Sequence, residues 1–278
     1  MTNNLCMQTL RCYSQYFLTA LLSLVLALPA LANSIDPGKP TVLVTGSNRG
    51  IGLGFAAHYA QSGWNVIATA RSPGRADELK QLADAHNNLV IEELDVTDVD
   101  EITGISEKYR GVPVDLLINN AGILGDMAAQ NLGAYDYDTF EQVMAVNVFG
   151  PMKVSEAFAD NVAMSEQKKI VTITSGAAIV STPARFAGMQ FYGISKAAVN
   201  KAMRGVQAEL RDRGVIVAII SPGGVQTDML EEAFGGNSSN FNAQTVEEAV
   251  TAIAKVIGGL DSSYNGEHLD YNGNVMPW

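Results

Sequence analysis

The chain has only two cysteines among its 278 residues, Cys6 and Cys12, and both precede a stretch that reads as an export signal. Once such a signal is cut away no thiol remains, so neither a disulfide framework nor a cysteine nucleophile is expected. Histidine is equally scarce. His58, His86 and His268 lie far apart and stand in no cluster with acids or cysteines, which argues against any metal site. The same scarcity leaves a serine without the imidazole partner that nucleophilic hydrolysis needs. Positive charge is short as well: 18 Lys and Arg against 29 Asp and Glu give a formal net charge of −11. A surface of that sign repels phosphate backbones and anionic lipid heads, so nucleic acid is not an expected partner. Residues 40–278 contain no linker, internal repeat or low-complexity segment, and their length suits a single α/β domain.

The first 32 residues stand apart. A polar start, "MTNNLCMQTLRCYSQ", precedes the apolar run Tyr16–Ala32, which ends in the A-x-A pattern Ala30-Leu31-Ala32. The run contains Thr19, Ser23 and Pro29 and is marginal against the ~20 residues of a spanning helix. Residues 1–32 are therefore expected to be a signal peptide or an N-terminal anchor, followed by a linker over 33–39. That places the protein outside the cytosol, in the periplasm or secretory pathway, or on a membrane held through residues 16–32 alone. It is cytoplasmic if the segment is not a functional signal. Arg11 is the only charge in residues 1–32, so the remainder carries 17 bases against 29 acids, a net charge of −12.

From Pro40 onward apolar runs alternate with helical patterns. The runs are "TVLVTG" (41–46), "NVIATA" (65–70), "LVIEELDV" (89–96), "VDLLINNAG" (114–122), "KKIVTITSG" (168–176), "VIVAIISPG" (215–223) and "GEHLDYNG" (266–273). Helical patterns fall over 51–62, 77–86, 100–109, a long stretch 139–164, 192–213 and 246–257. Thr245 with Glu248 forms a capping box, and Asp138 with Glu141 gives a similar start. Seven strands alternating with helices predict an α/β fold: one Rossmann-type doubly wound domain, its seven-stranded, mostly parallel sheet covered by helices on both faces. Residues 226–244 are too polar and glycine-rich for core, and read as a substrate lid or as disorder.

Several short motifs carry chemistry. "TGSNRGIG" (45–52) has glycines at 46, 50 and 52 between a strand and a helix, where a bare backbone approaches a pyrophosphate at the helix N-terminus. The second strand ends in Arg71-Ser72 where an acid commonly binds a ribose 2′-hydroxyl. With Arg49 in the glycine loop, two guanidiniums suit the 2′-phosphate of NADP. Tyr192 and Lys196 are i and i+4 on one helix face, so a cation can lower the pKa of a phenol and fit it for proton transfer. Ser175 ends the preceding strand at the sheet's carboxyl edge. Asn119-Asn120-Ala121-Gly122 ends the strand before that, and Asn147 lies mid-helix, where propensity gives an amide no reason to be.

In that order and context these residues resemble the short-chain dehydrogenase/reductase family across about residues 40–278. "YGISKAAVN", "SPGGVQTDM" and "NGNVMPW" are most similar to its C-factor and sniffer-like carbonyl reductases. The resemblance implies NADP(H) held by Gly46, Ser47, Arg49, Gly50, Ile51 and Gly52, by Arg71 and Ser72 at the ribose phosphate, and by Asp95 and Val96 at the adenine. It adds Asn119, Ala121, Gly122, Tyr192, Lys196, and the nicotinamide turn of Pro222, Gly223, Val225 and Thr227. It implies a catalytic tetrad of Asn147, Ser175, Tyr192 and Lys196. Tyr192 gives the proton, Ser175 holds the carbonyl oxygen, Lys196 tunes Tyr192 and holds the ribose, and Asn147 anchors a relay water. The implied partner is a small aldehyde or ketone, apolar if Phe186, Met189, Phe191, Met229 and Phe234 line the pocket, and the implied assembly is a homodimer or homotetramer. Two departures stand out. Ser175 and Tyr192 are 17 apart, which predicts an extra loop within "TPARFAGMQ" beside the site, and Gly224 stands where relatives often carry a bulky residue. The resemblance to C-factor also allows a second reading: an exported signalling or binding protein with little or no turnover.

Overall fold

The computed structural model describes residues 35–181, 188–236, 242–264 and 266–278. The seven apolar runs become β1 (Thr41–Val44), β2 (Asn65–Ala70), β3 (Leu89–Glu93), β4 (Leu116–Asn119), β5 (Lys169–Ile173), β6 (Ile216–Ser221) and β7 (His268–Asp270). They form one sheet in the order β3-β2-β1-β4-β5-β6-β7, and every neighbouring pair is parallel. The strands stop short of the apolar runs because the chain leaves the ladder where the motif residues begin.

Period-two alternation decides which residues face which helices. Val42, Val44, Val66, Ala68, Leu116, Ile118, Val171, Ala218 and Ile220 point to one face. There they pack on α1 (Gly50–Gln61), α2 (Asp77–Ala85) and α9 (Val246–Gly258) through Phe55, Tyr59, Leu79, Ile253 and Ile257. Leu43, Ile67, Leu117, Ile170, Val217 and Ile219 point to the other. That face meets α3 (Val99–Lys108), α5 (Gly150–Ala157), α6 (Ala159–Ala163) and α7 (Gln190–Leu210) through Ile102, Ile105, Val154, Val162, Val199 and Met203. Strands buried on both faces need near-continuous apolar sequence, and these have it.

From β1 the chain runs outward to β2 and β3, then returns to lay β4 on β1's other side. The reversal opens a crevice beyond the carboxyl ends of β1 and β4, where ligands bind in such sheets. The loops leaving these two strands are Thr45–Arg49 and the segment opening with Asn120-Ala121-Gly122.

Two local expectations are corrected. The stretch 139–164 is not one helix: α4 (Tyr137–Met144) runs into a π-helical turn (Ala145–Phe149), then α5 and α6 with Phe158 between them. The cap of α4 is Asp136, whose carboxylate accepts from the Thr139 amide at 2.8 Å, while Asp138 sits inside the first turn. The Thr245–Glu248 capping box forms as read. Between Gln226 and Gln244 the chain builds α8 (Asp228–Ala233), and paired main-chain bonds, Gln226 N–H to Gln244 and Gln244 N–H to Gly224, both 2.9 Å, close its neck. Residues 237–241 lie outside the described residues. Residues 35–39 are tied to the fold: the Asn65 amide donates to the carbonyls of Asp36 and Lys39 and accepts from the Asp36 N–H, and Ile35 packs on the core.

Candidate active site

The glycine loop is held from β4. The Thr45 hydroxyl accepts the N–H groups of Asn120 and Ala121 at 3.0 and 3.1 Å, and the Asn120 amide donates to the carbonyls of Thr45 and Gly46. Gly46 adopts φ +69°, and a Cβ there would lie 2.9 Å from the Ala121 Cα. At Gly52 a Cβ would drive into the Gly46 carbonyl oxygen and the Asn120 amide. The loop thus lies flat on the β4 exit with bare backbone at the mouth of α1, whose N-terminus no side chain caps. A cradle that a single methyl group would fill fits an approaching pyrophosphate. Asn120 escaped the sequence reading as an individual residue. Its role depends on a partner 75 positions away, and no local pattern signals that.

Ser47 is fully buried. Its N–H donates to Thr69 at 2.7 Å and its hydroxyl to Val44 at 2.9 Å, so both donors are spent inside the fold and its part is to shape the loop. The Asn119 amide is buried and donates to Ser155 and Thr172. Arg49 pairs with Asp228 at the start of α8 at 3.2 Å, and Arg75 lies beside Ser72, 3.1 Å from its hydroxyl. Arg71 is exposed at the end of β2. Asp95 turns its carboxylate onto the N–H and hydroxyl of Thr97, and Val96 is buried against Gly150.

On the opposite wall, Pro222 to Thr227 follow β6. Gly223 has φ +74° with the Tyr271 ring against it, Val225 bridges to Gln244, and Thr227 caps α8. A Cβ on Gly50 would be 3.4 Å from the Thr227 methyl, so the two loops named for opposite ends of a dinucleotide face one another across the crevice.

The tetrad residues come from three elements. Ser175 follows β5 and starts a tight turn, its hydroxyl accepting the Ala177 N–H at 3.1 Å. Tyr192 lies in the first turn of α7, buried, with its phenol facing Ser175. Gly193 lets α7 press on that turn: a Cβ there would sit 3.3 Å from the Ala177 carbonyl oxygen. One helical turn on, Lys196 is buried, donates to the Ile173 carbonyl at 3.1 Å and lies 5.7 Å from the Tyr192 ring centroid. Gly122 touches the remaining two, a Cβ there lying 3.3 Å from the Asn147 amide oxygen and 3.4 Å from the Lys196 ammonium. Asn147, Ser175, Tyr192 and Lys196 thus gather around the β4 and β5 exits.

Asn147 sits in the π-helical turn, a distortion that occurs frequently at functional sites. Its side chain is committed to structure: it exchanges two 2.9 Å bonds with the Ile123 main chain and donates to Ser195 at 3.0 Å. The phenol pKa of Tyr192 is not lowered on balance. Burial pushes it up, and the Ser175 hydrogen bond pulls it part of the way back. Burial also brings the Lys196 ammonium down to about 8. Of the residues proposed to line a pocket, Phe186 lies outside the described residues, as does most of the extra loop. Phe191 is taken up by packing on Phe140 and Tyr135, at 5.3 and 5.6 Å between ring centroids.

A family profile described as short chain dehydrogenase matches residues 40–237. A carbonyl reductase from chicken fatty liver, solved with NADPH bound, superimposes with a TM-score of 0.78 and is 33% identical, covering 86% of this chain and 99% of its own. The short chain dehydrogenase gsfK of Penicillium aethiopicum is 31% identical over 252 residues, 86% of this chain and 99% of its own. The C-signal protein of Myxococcus xanthus is 34% identical over 168 residues, 60% of this chain and 93% of its own.

Proposed function

Because the chain belongs to the short chain dehydrogenase family, we propose that it reduces the carbonyl of a small, apolar aldehyde or ketone to the alcohol, with NADPH as hydride donor. The observation that carries this reading is the gathering of Ser175, the buried Tyr192 and the buried Lys196 at the β4 and β5 exits, with the Lys196 ammonium 5.7 Å from the Tyr192 ring centroid. The chicken enzyme, a carbonyl reductase with NADPH bound, supports both the cofactor and the reaction type.

Bound in the crevice, the nicotinamide supplies the hydride. The glycine loop and the N-terminus of α1 would hold the pyrophosphate. The exposed Arg71, with Ser72 and Arg75, would hold the ribose phosphate, with Arg49 drawn from Asp228. Ser175 and Tyr192 both point hydroxyl groups at the carbonyl oxygen. Ser175 stabilises the negative charge that develops there. Tyr192, kept protonated by burial, gives its proton as the alkoxide forms. Lys196 keeps a positive charge near the phenolate left behind and so limits the cost of ionising a buried phenol. The test is direct: purified protein should oxidise NADPH when supplied with a panel of aldehydes and ketones. NADPH binding with no turnover on any of them would favour the non-enzymatic reading. Export rests on residues 1–32, which lie outside the described residues, and we propose it on the sequence pattern alone.

A further inference from the structure

The first-turn N–H groups of a helix have no partners within it, and α7 has no side-chain cap at its own N-cap position, Met189. The partner comes from elsewhere in the chain. Gln130 is fully buried, in the short helical turn Ala128–Gln130 after β4. Its side-chain oxygen accepts the N–H groups of Phe191 and Tyr192 at 3.0 and 3.1 Å. Its amide nitrogen donates to the carbonyls of Leu124 and Asp126 at 2.8 and 3.3 Å. Every hydrogen-bonding direction of this amide is used, which locks its rotamer.

The other side of Tyr192 is held from the same segment. Its carbonyl accepts the Ser195 hydroxyl at 2.7 Å. Ser195 accepts from the Asn147 amide at 3.0 Å, and Asn147 is bonded to both main-chain groups of Ile123. Two buried amides hung on residues 123–126 therefore fix the N–H and, through Ser195, the C=O of one residue. That residue carries the phenol. A cap that only stabilised a helix would need one side chain at the N-cap. This arrangement instead ties the Tyr192 main chain to the β4 exit, which also touches the glycine loop.

We propose that Gln130 is a positioning residue for Tyr192, setting the main chain from which the phenol is aimed at Ser175 and the carbonyl oxygen. The proposal rests on the reductase reading for its kinetic consequence but not for its geometric one. Gln130→Met removes all four bonds at similar volume, and Gln130→Ala removes them while leaving room for water. Each is compared with wild type by kcat per titrated NADPH-binding site and by the pH profile of reduction. A third measure is the resonance of Tyr192 in protein labelled with isotopic tyrosine, assigned by its loss in Tyr192→Phe.

Misplacing a reacting group by about 1 Å costs on the order of a hundredfold, so kcat per site should fall about tenfold to a hundredfold. The Ser175 bond holds the phenol pKa down. Weakening it should move the alkaline limb of the profile to higher pH and shift the Tyr192 resonance. Gln130→Glu, which keeps the acceptors, should recover part of the lost kcat. Asn161→Ala removes another buried amide, bonded to Tyr109 and Val112, and should lower Tm without changing kcat per site. If Gln130→Met or Gln130→Ala lowers Tm but leaves kcat per site, the pH limb and the Tyr192 resonance at wild-type values, the proposal is overturned and Gln130 is only a cap. A wild type inactive on every carbonyl sinks the reductase reading instead, and the Tyr192 resonance still decides the positioning role.

Discussion

The Lys196 ammonium donates to the main-chain carbonyl of Ile173 at 3.1 Å, in a site from which water is almost wholly excluded. A charge in that position weakens the fold. Burial brings its pKa to about 8, against ~10.4 in an unfolded chain. Below pH 8 both states are protonated and the penalty is full. Between the two values the unfolded chain binds more protons, so stability rises with pH and the penalty disappears above that window. Lys196→Met should therefore stabilise the cofactor-free protein at pH 7 by about 1–3 kcal/mol and flatten its stability between pH 8 and ~10.4, measured by urea unfolding. A variant less stable than wild type at pH 7 contradicts the assignment.

The cofactor loop offers a test of opposite signs. Gly52→Ala places a methyl group into the Gly46 carbonyl and the Asn120 amide and should cost about 1–3 kcal/mol, with loss of NADPH binding. Gly104→Ala, mid-helix in α3 with nothing within 4 Å of its Cβ, should stabilise by about 0.5–1 kcal/mol. Equal effects on thermal unfolding would show that loop closeness has been misjudged.

Discrimination between cofactors is assigned to cations at the end of β2. Removing Arg71 deletes one charge-assisted contact worth ~1.5–3 kcal/mol, so Arg71→Ala should raise the Kd for NADPH about tenfold to a hundredfold and leave that for NADH unchanged. The Arg49–Asp228 pair is largely exposed, at 66% and 79% of the two side chains. Asp228→Asn should leave Tm unaltered yet tighten NADPH, more at low salt. Fluorescence titration at two salt concentrations reads both, and equal weakening of NADPH and NADH by Arg71→Ala would move the phosphate site elsewhere.

Much of this was legible in the sequence because it is periodic or local. The seven strands follow from apolar runs whose alternate residues face two helical layers, as Leu43 does between Val42 and Val44. The capping box at Thr245 needs only Glu248, three residues on. What stayed hidden depends on distant partners. Gln130 reads as an unremarkable loop glutamine until α7 is laid beside it, and Asn120 looks like half of a motif until the glycine loop rests on it. The π-helical turn at Ala145–Phe149 leaves no mark on a helical pattern. Asp138 looked like the cap because it too has an acid three residues on, and Asp136 took the position through the Thr139 N–H. Arg49 shows the limit of motif spacing: its place in the loop was plain, but its pairing with Asp228, 179 positions away, was not.

The N-terminal segment gives a prediction independent of the fold. Sequencing the protein recovered from its natural compartment should begin at Asn33, after Ala30-Leu31-Ala32. A chain that still carries residues 16–32 in the membrane fraction would make the segment an anchor, and one that keeps them in the cytosol would contradict export.

Tyr192 is the proposed proton donor. Tyr192→Phe removes one oxygen atom, and general acid catalysis is worth about 10²–10⁴-fold. The decisive measurement is kcat/KM for carbonyl reduction by Tyr192→Phe beside its NADPH affinity. A loss of about 10²–10⁴-fold with cofactor binding retained is expected, and turnover close to that of wild type would contradict the account.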